Sequence, residues 1–115
     1  MSRDWTFYLE DIAEAAEKIL AYSEQVDYVE FSRKAMVYDA VVRNLEVIGE
    51  ASKKLPDHVL EEMPEIEWRK VIGPRDVIAH GYFGLSADVL WDVVRNRIPA
   101  LRTEVRRVLD STESR

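Results

Sequence analysis

Four chemically capable side chains stand close together in the run Gly73-Pro74-Arg75-Asp76-Val77-Ile78-Ala79-His80-Gly81-Tyr82. His80 is one of only two histidines in the chain, and Arg75, Asp76 and Tyr82 flank it. A histidine titrates near neutrality, so it can take a proton from a hydroxyl or give one to a leaving oxygen. An arginine keeps its charge and forks onto phosphate oxygens, where it stabilises charge as it builds. Together the two suit metal-independent cleavage of RNA, because the ribose 2′-hydroxyl is a built-in nucleophile and the product is a 2′,3′-cyclic phosphate. Asp76 can hold one ring nitrogen of His80 and favour the charged imidazole. Asp–His pairs at this spacing are also common on helices with no chemical role, so the pattern by itself leaves both readings open.

Other chemistries find less support. There is no cysteine, which removes disulfides and thiolate metal sites and suits a reducing cytosol. The two histidines, His58 and His80, are far apart, with no His-Glu-x-x-His pattern, so no metal site is expected. The glycines at 49, 73, 81 and 84 form neither a dinucleotide fingerprint nor a phosphate loop, and no serine sits in a nucleophile elbow. No cofactor is expected. His58 lies among acidic residues and reads as a solvated side chain.

The elements that must position the run can be read from apolar spacing. Pro74 suits the first turn of a helix and Gly81 its end, which gives about two turns. Asp76 and His80 then share a face, while Arg75 and His80 diverge by about 140° around the axis. An Arg–His pair therefore needs a bend, a long reach by the arginine, or a second copy of the chain. Trp5, Leu9, Ile12, Ala16 and Ile19 predict a helix over about 3–22, followed by a polar break at 23–27. Phe31, Ala35, Tyr38, Val42, Leu45, Ile48, Ser52 and Leu55 predict a second helix from about Tyr28 or Phe31 to Leu55, with Gly49 and Ala51 permitting close approach of a neighbour. Pro56-Asp57 opens a short helix and Pro64 follows it. Trp68, Val71 and Ile72 lead into the motif, and Gly73-Pro74 should kink or split that helix. Ser86 caps the last long helix, with Asp88 in its first turn. Leu90, Val94, Ile98, Leu101, Val105 and Val108 mark its stripe, and Pro99 predicts a bend around 95–99. Residues 111–115 read as a frayed tail. No strand pattern occurs, so the expected fold is all-α, an antiparallel bundle of four to five helices in one domain over 1–115. Such a thin bundle commonly pairs with a second copy about a two-fold axis.

The net charge of −6 argues against a broad grip on nucleic acid and leaves room for a small local basic site. Arg95, Arg97, Arg102, Arg106 and Arg107 make the final helix the most basic element. No signal-peptide core and no membrane-length apolar stretch appears, and the chain is expected in the cytoplasm without membrane contact.

Arg75, four intervening residues, His80 and then Gly81-Tyr82 are similar to the R-x4-H-x-Y pattern of the HepT-like branch of the HEPN ribonucleases. The resemblance extends to Asp4-Trp5 with Tyr8-Leu9-Glu10-Asp11-Ile12, to Asp39–Ala51, to Pro64-Glu65-Ile66 with Trp68-Arg69, and to Trp91-Asp92 and Pro99. It implies a helical HEPN fold and a ribonuclease toxin of a HepT/MNT toxin–antitoxin pair, with catalysis assigned to the positions matching Arg75 and His80. It also implies a homodimer, and a minimal nucleotidyltransferase antitoxin that transfers AMP to Tyr82. Arg43, Asn44 and Glu50, on the segment matching the central helix, become candidates for supporting the site; without the resemblance they read as ordinary surface polar groups. Asp76 stands where the family often has asparagine, and Pro74 and Val77 also depart from its pattern. These departures and the acidic charge keep open a second reading, a non-catalytic helical dimer that binds a nucleotidyltransferase or a nucleotide.

Overall fold

The structure is a computed structural model and describes residues 4–71 and 87–113. Helix α1 spans Trp5–Glu24. It starts at Asp4, whose side chain accepts from the Thr6 amide at 2.9 Å and satisfies one of the free donors of the first turn. Leu9, Ile12, Ala16 and Ile19 are fully buried, as the spacing predicts. Ala13 and Ala15 are buried as well, which widens the apolar stripe and leaves little side-chain bulk on α1. That lets two other helices pack closely on it. The helix also runs past Tyr22: Ser23, expected in the polar break, is buried inside it and donates its hydroxyl to the Leu20 carbonyl at 3.2 Å.

The single helix expected to run on to Leu55 is two. Helix α2 covers Tyr28–Arg33 and α3 covers Ala35–Lys53. Between them Lys34 is extended, with φ −90° and ψ 94°. Its amide closes α2 on the Glu30 carbonyl at 2.8 Å, and its carbonyl opens α3 by accepting from Tyr38 at 3.0 Å. The break resets the helical phase. Ala35, assigned to the stripe, is exposed, whereas Val41 joins Leu45, Ile48 and Ser52 in the interior. Gly49 and Ala51 are buried, as expected for a close helix contact.

Helix α4 is the single turn Asp57–Leu60 behind Pro56. The turns that follow carry Met63 and Ile66 into the core, and residues 68–71 are helical, with Val71 buried. Beyond the motif, α5 spans Ala87–Asn96 and α6 spans Ile98–Glu113. The expected bend is a break at Arg97. Its amide still donates to Val93 at 2.9 Å and its carbonyl accepts from Leu101 at 3.1 Å. Pro99 has no N–H to offer the carbonyl four residues back, so the α-helical ladder is interrupted there. Every stripe residue from Leu90 to Val108 is buried. Helix α6 continues beyond Ser111, where fraying was expected, and Thr112 bonds back to the Val108 carbonyl at 2.9 Å.

Helix α1 lies between α3 and α6, antiparallel to both. Lys54, just past α3, sits 5.6 Å over the Tyr8 ring near the start of α1, while Tyr22 and Val37 line a common groove at the other end. On the opposite flank Arg106 of α6 grips Glu17, and Pro99 lies beside Leu20. Phe31 of α2 is the pin between elements, its ring 5.7 Å from Tyr38 and 5.1 Å from Trp91 of α5. Among the described residues all regular structure is helical, and no helix is long and apolar enough to cross a membrane.

Candidate functional site

Arg75, Asp76, His80 and Tyr82, with Pro74, Val77 and the predicted kink at Gly73-Pro74, lie outside the described residues. What the structure defines is the frame on either side of them. The chain enters the motif from 68–71, where Val71 is buried and Trp68 packs against the core, and leaves it at Ala87, which also packs there. The Trp68 indole nitrogen is buried without a hydrogen-bond partner among the described residues.

The entering strand of chain is tied to the helix break on the far side of the motif. Glu67 lies 2.9 Å from Lys70 and 3.3 Å from the Arg97 guanidinium. The hydrogen bond from Lys70, then the positive charge of Arg97, hold the Glu67 carboxyl below the usual carboxylate range. This contact puts Arg97, one of the arginines of the basic final segment, against the residues that lead into the motif. Glu67 itself escaped the sequence reading. Its i, i+3 partner Lys70 was visible in the sequence, but the tie to Arg97 depends on packing between distant segments.

The proposed supporting residues sit apart in environment on α3. Arg43 and Glu50 are exposed, seven positions apart on one face. Asn44 is half-buried and donates its side-chain amide to the Ala40 carbonyl of its own helix at 2.8 Å. His58 packs edge-on against Trp5, with ring centroids 6.1 Å apart, and stays exposed. No group of three histidine, aspartate or glutamate side chains poised to hold a metal occurs among the described residues.

The arginines of α6 are largely engaged, mostly by other elements. Arg106 donates through Nε and Nη2 to the same Glu17 oxygen, at 3.0 and 2.9 Å, and Arg102 approaches that oxygen at 3.7 Å. Arg107 bonds Glu104 and the Glu62 carbonyl, both at 2.6 Å. Arg95 differs: its guanidinium lies 5.5 Å over the Trp91 ring, and no carboxylate among the described residues is within ion-pair reach of it.

The family model described as "Ribonuclease HepT-like" matches residues 12–108. The chain belongs to this family. A HepT-like relative from Thermococcus cleftensis, named "Probable ribonuclease HepT", is 42% identical over 102 residues, which cover 89% of this chain and 93% of that one. A protein of Methanocaldococcus jannaschii, provisionally named as an RNase, is 36% identical over 103 residues, covering 90% of this chain and 94% of its own. A third, from Caldanaerobacter subterraneus subsp. tengcongensis and named in the same way, is 32% identical over 102 residues, 89% of this chain and 91% of that one. No solved structure matches the chain. The all-α architecture agrees with the helical HepT-like fold implied by the resemblance.

Proposed function

We propose that this chain is a metal-independent endoribonuclease, the toxin of a toxin–antitoxin pair, with Arg75, Asp76 and His80 as its catalytic group. The observation that carries the reading is the family match, which spans residues 12–108 and so takes in the whole motif. The relatives' names, which give a ribonuclease or RNase, support the same activity.

The chemistry follows from the side chains. His80 removes the proton of the ribose 2′-hydroxyl, and the 2′-oxygen attacks phosphorus. The bond from phosphorus to the 5′-oxygen breaks, and an imidazolium protonates that oxygen. The products are a 2′,3′-cyclic phosphate and a 5′-hydroxyl. Arg75 neutralises the phosphorane as charge accumulates on its oxygens. One histidine per motif supplies either the base or the acid, so a homodimer with the two motifs facing each other across a two-fold axis provides both. The same arrangement lets Arg75 of one protomer serve the opposite His80. Transfer of AMP to Tyr82 by a minimal nucleotidyltransferase would add bulk and negative charge two residues from His80 and so silence the site.

The test is cleavage of RNA by purified, unmodified protein in the presence of EDTA. Cutting should end in cyclic phosphate and should vanish in His80→Ala; a fully active His80→Ala protein would sink the assignment. Mixing Arg75→Ala with His80→Ala chains should restore partial activity if the site is shared between protomers.

The net charge of −6 and Asp76 favour one competitor, a non-catalytic dimer that presents Tyr82 to a nucleotidyltransferase or holds a nucleotide. Expression of the chain alone separates the two. A nuclease arrests growth and Arg75→Ala relieves the arrest, whereas a binding module is harmless with either residue.

A further inference from the structure

A cleft of about 440 Å³ opens between the last turn of α1 and the break joining α5 to α6. Its apolar floor includes Leu20, Val94 and Pro99, and Arg95 and Arg102 stand at its walls. Neither arginine is spent in a tight ion pair. Arg95 lies 5.5 Å over the Trp91 ring, a contact that does not neutralise it. Arg102 reaches Glu17 only at 3.7 Å, and that carboxylate is already taken by Arg106 at 2.9 Å. Among the lining residues two guanidinium groups, of Arg95 and Arg102, stand against one carboxylate, of Glu24. The balance is locally positive on a chain whose net charge is −6.

Trp91 also carries Tyr28 on its edge, with ring centroids 6.3 Å apart, and Tyr28 is 41% exposed. Arg95 and the exposed Tyr28 ring thus share one indole as a contact, and single-strand binding uses both kinds of group: the charge takes the backbone and a ring takes the base face. Among the described residues, the cleft is lined by α1, α5 and α6.

We propose that this cleft binds a phosphodiester of single-stranded RNA through Arg95 and Arg102, with the adjoining base against Tyr28, as a docking site for the strand that adds affinity and no catalytic group. The proposal rests on the ribonuclease reading for its biological sense, but its test does not require cutting. Because the charge excess is one unit, the site holds a single backbone phosphate and contributes to affinity without sequence preference.

A fluorescent 2′-O-methyl oligoribonucleotide, which cannot be cleaved, is titrated against the full-length protein and followed by anisotropy. Arg95→Gln should weaken binding about tenfold, and Arg102→Gln by a similar factor. Each should lower the slope of log affinity against log salt by about 0.7, the loss of one single-strand phosphate contact. Arg95→Lys keeps the charge and gives up the guanidinium's forked donors, so it should fall between. Lys18→Gln removes the same charge from the Glu14 pair outside the cleft and should bind as the parent does. Circular dichroism verifies that each variant is folded, and the second arginine provides the test if one variant is not. Parent-like binding by both Arg95→Gln and Arg102→Gln, or an equal loss in Lys18→Gln, overturns the proposal. AMP titrated as a competitor distinguishes a strand from a free nucleotide: displacement of the oligonucleotide by micromolar AMP would assign the cleft to mononucleotides and also overturn it. Binding that depends on Arg95 in a protein that cuts nothing would keep the cleft and discard the nuclease. Cutting with a KM indifferent to Arg95 would do the reverse.

Discussion

Replacing Phe31 with alanine should remove the pin that holds three elements together. The ring is fully buried and contacts Tyr38 of α3 at 5.7 Å and Trp91 of α5 at 5.1 Å between centroids. A buried Phe→Ala change costs about 3–5 kcal/mol, and aromatic pairs such as these add about 0.5–1.5 kcal/mol beyond area burial. Helix α2 is one and a half turns long and holds Phe31 as its one buried residue, so little else on it can take up the slack. We expect a loss of about 4 kcal/mol. At about 0.05–0.15 kcal/mol per residue the whole domain is stabilised by roughly 6–17 kcal/mol, so this single side chain accounts for a quarter to two-thirds of the margin. Phe31→Leu keeps most of the volume and should lose about 1.5 kcal/mol or less. Equilibrium urea unfolding at fixed chain concentration, read by tryptophan fluorescence and circular dichroism together, measures both. Because Trp91 is one of the reporters, Phe31→Ala should also change the native fluorescence. A loss below about 1 kcal/mol, with an unchanged m-value, would show that α2 does not pin α3 to α5.

Three other outcomes follow from particular contacts. Glu17→Gln should cost about 0.5–1 kcal/mol, an amount reduced by partial exposure of the pair and further reduced in high salt; thermal melts at two ionic strengths measure it. Asp27→Ala removes the acceptor of the Glu30 amide, bonded at 2.9 Å, and should lower stability by about 1 kcal/mol in urea titrations. The Glu67 carboxyl titrates below its ordinary value, so its ion pairs stabilise the fold above the unfolded pKa and that contribution fades as pH falls through the folded one. Carbonyl-detected NMR should show the Glu67 midpoint rising in Lys70→Gln, and by a smaller amount in Arg97→Gln.

The stripes of α1 and of α5 with α6 were legible in the sequence because both depend on local spacing. Leu9, Ile12, Ala16 and Ile19 fall where period 3.6 puts them, and so do Leu90 through Val108. The break at Lys34 was not legible. It carries neither proline nor glycine, and the chain leaves the helical region there for one residue before resuming, which displaced Ala35 outward and brought Val41 in. Pro99 announced an interruption, and only the structure locates the break at Arg97. The motif was legible as residue types at a fixed spacing, whereas its surroundings were not. The Arg97–Glu67 contact, the Arg95–Trp91 contact and the sharing of Glu17 by two arginines all join positions far apart in sequence or depend on helix rotation, and no local pattern encodes them. Asn44 shows the converse: the resemblance named it a candidate for supporting the site, while its side-chain amide is engaged by its own helix.

The central position of α1 has a consequence during synthesis. One of its flanks is covered by α3, but the other waits for α6, and Arg106 follows Glu17 by 89 residues. At about 5–20 residues per second that interval is on the order of 4–18 s. Throughout it the α6-facing side of the first helix is open to water and to other chains, and residues that end up buried under α6 have no native partner. Over that interval a nascent chain carries an unfinished apolar seam, a natural target for a holding chaperone, and the bundle closes only when α6 clears the ribosome.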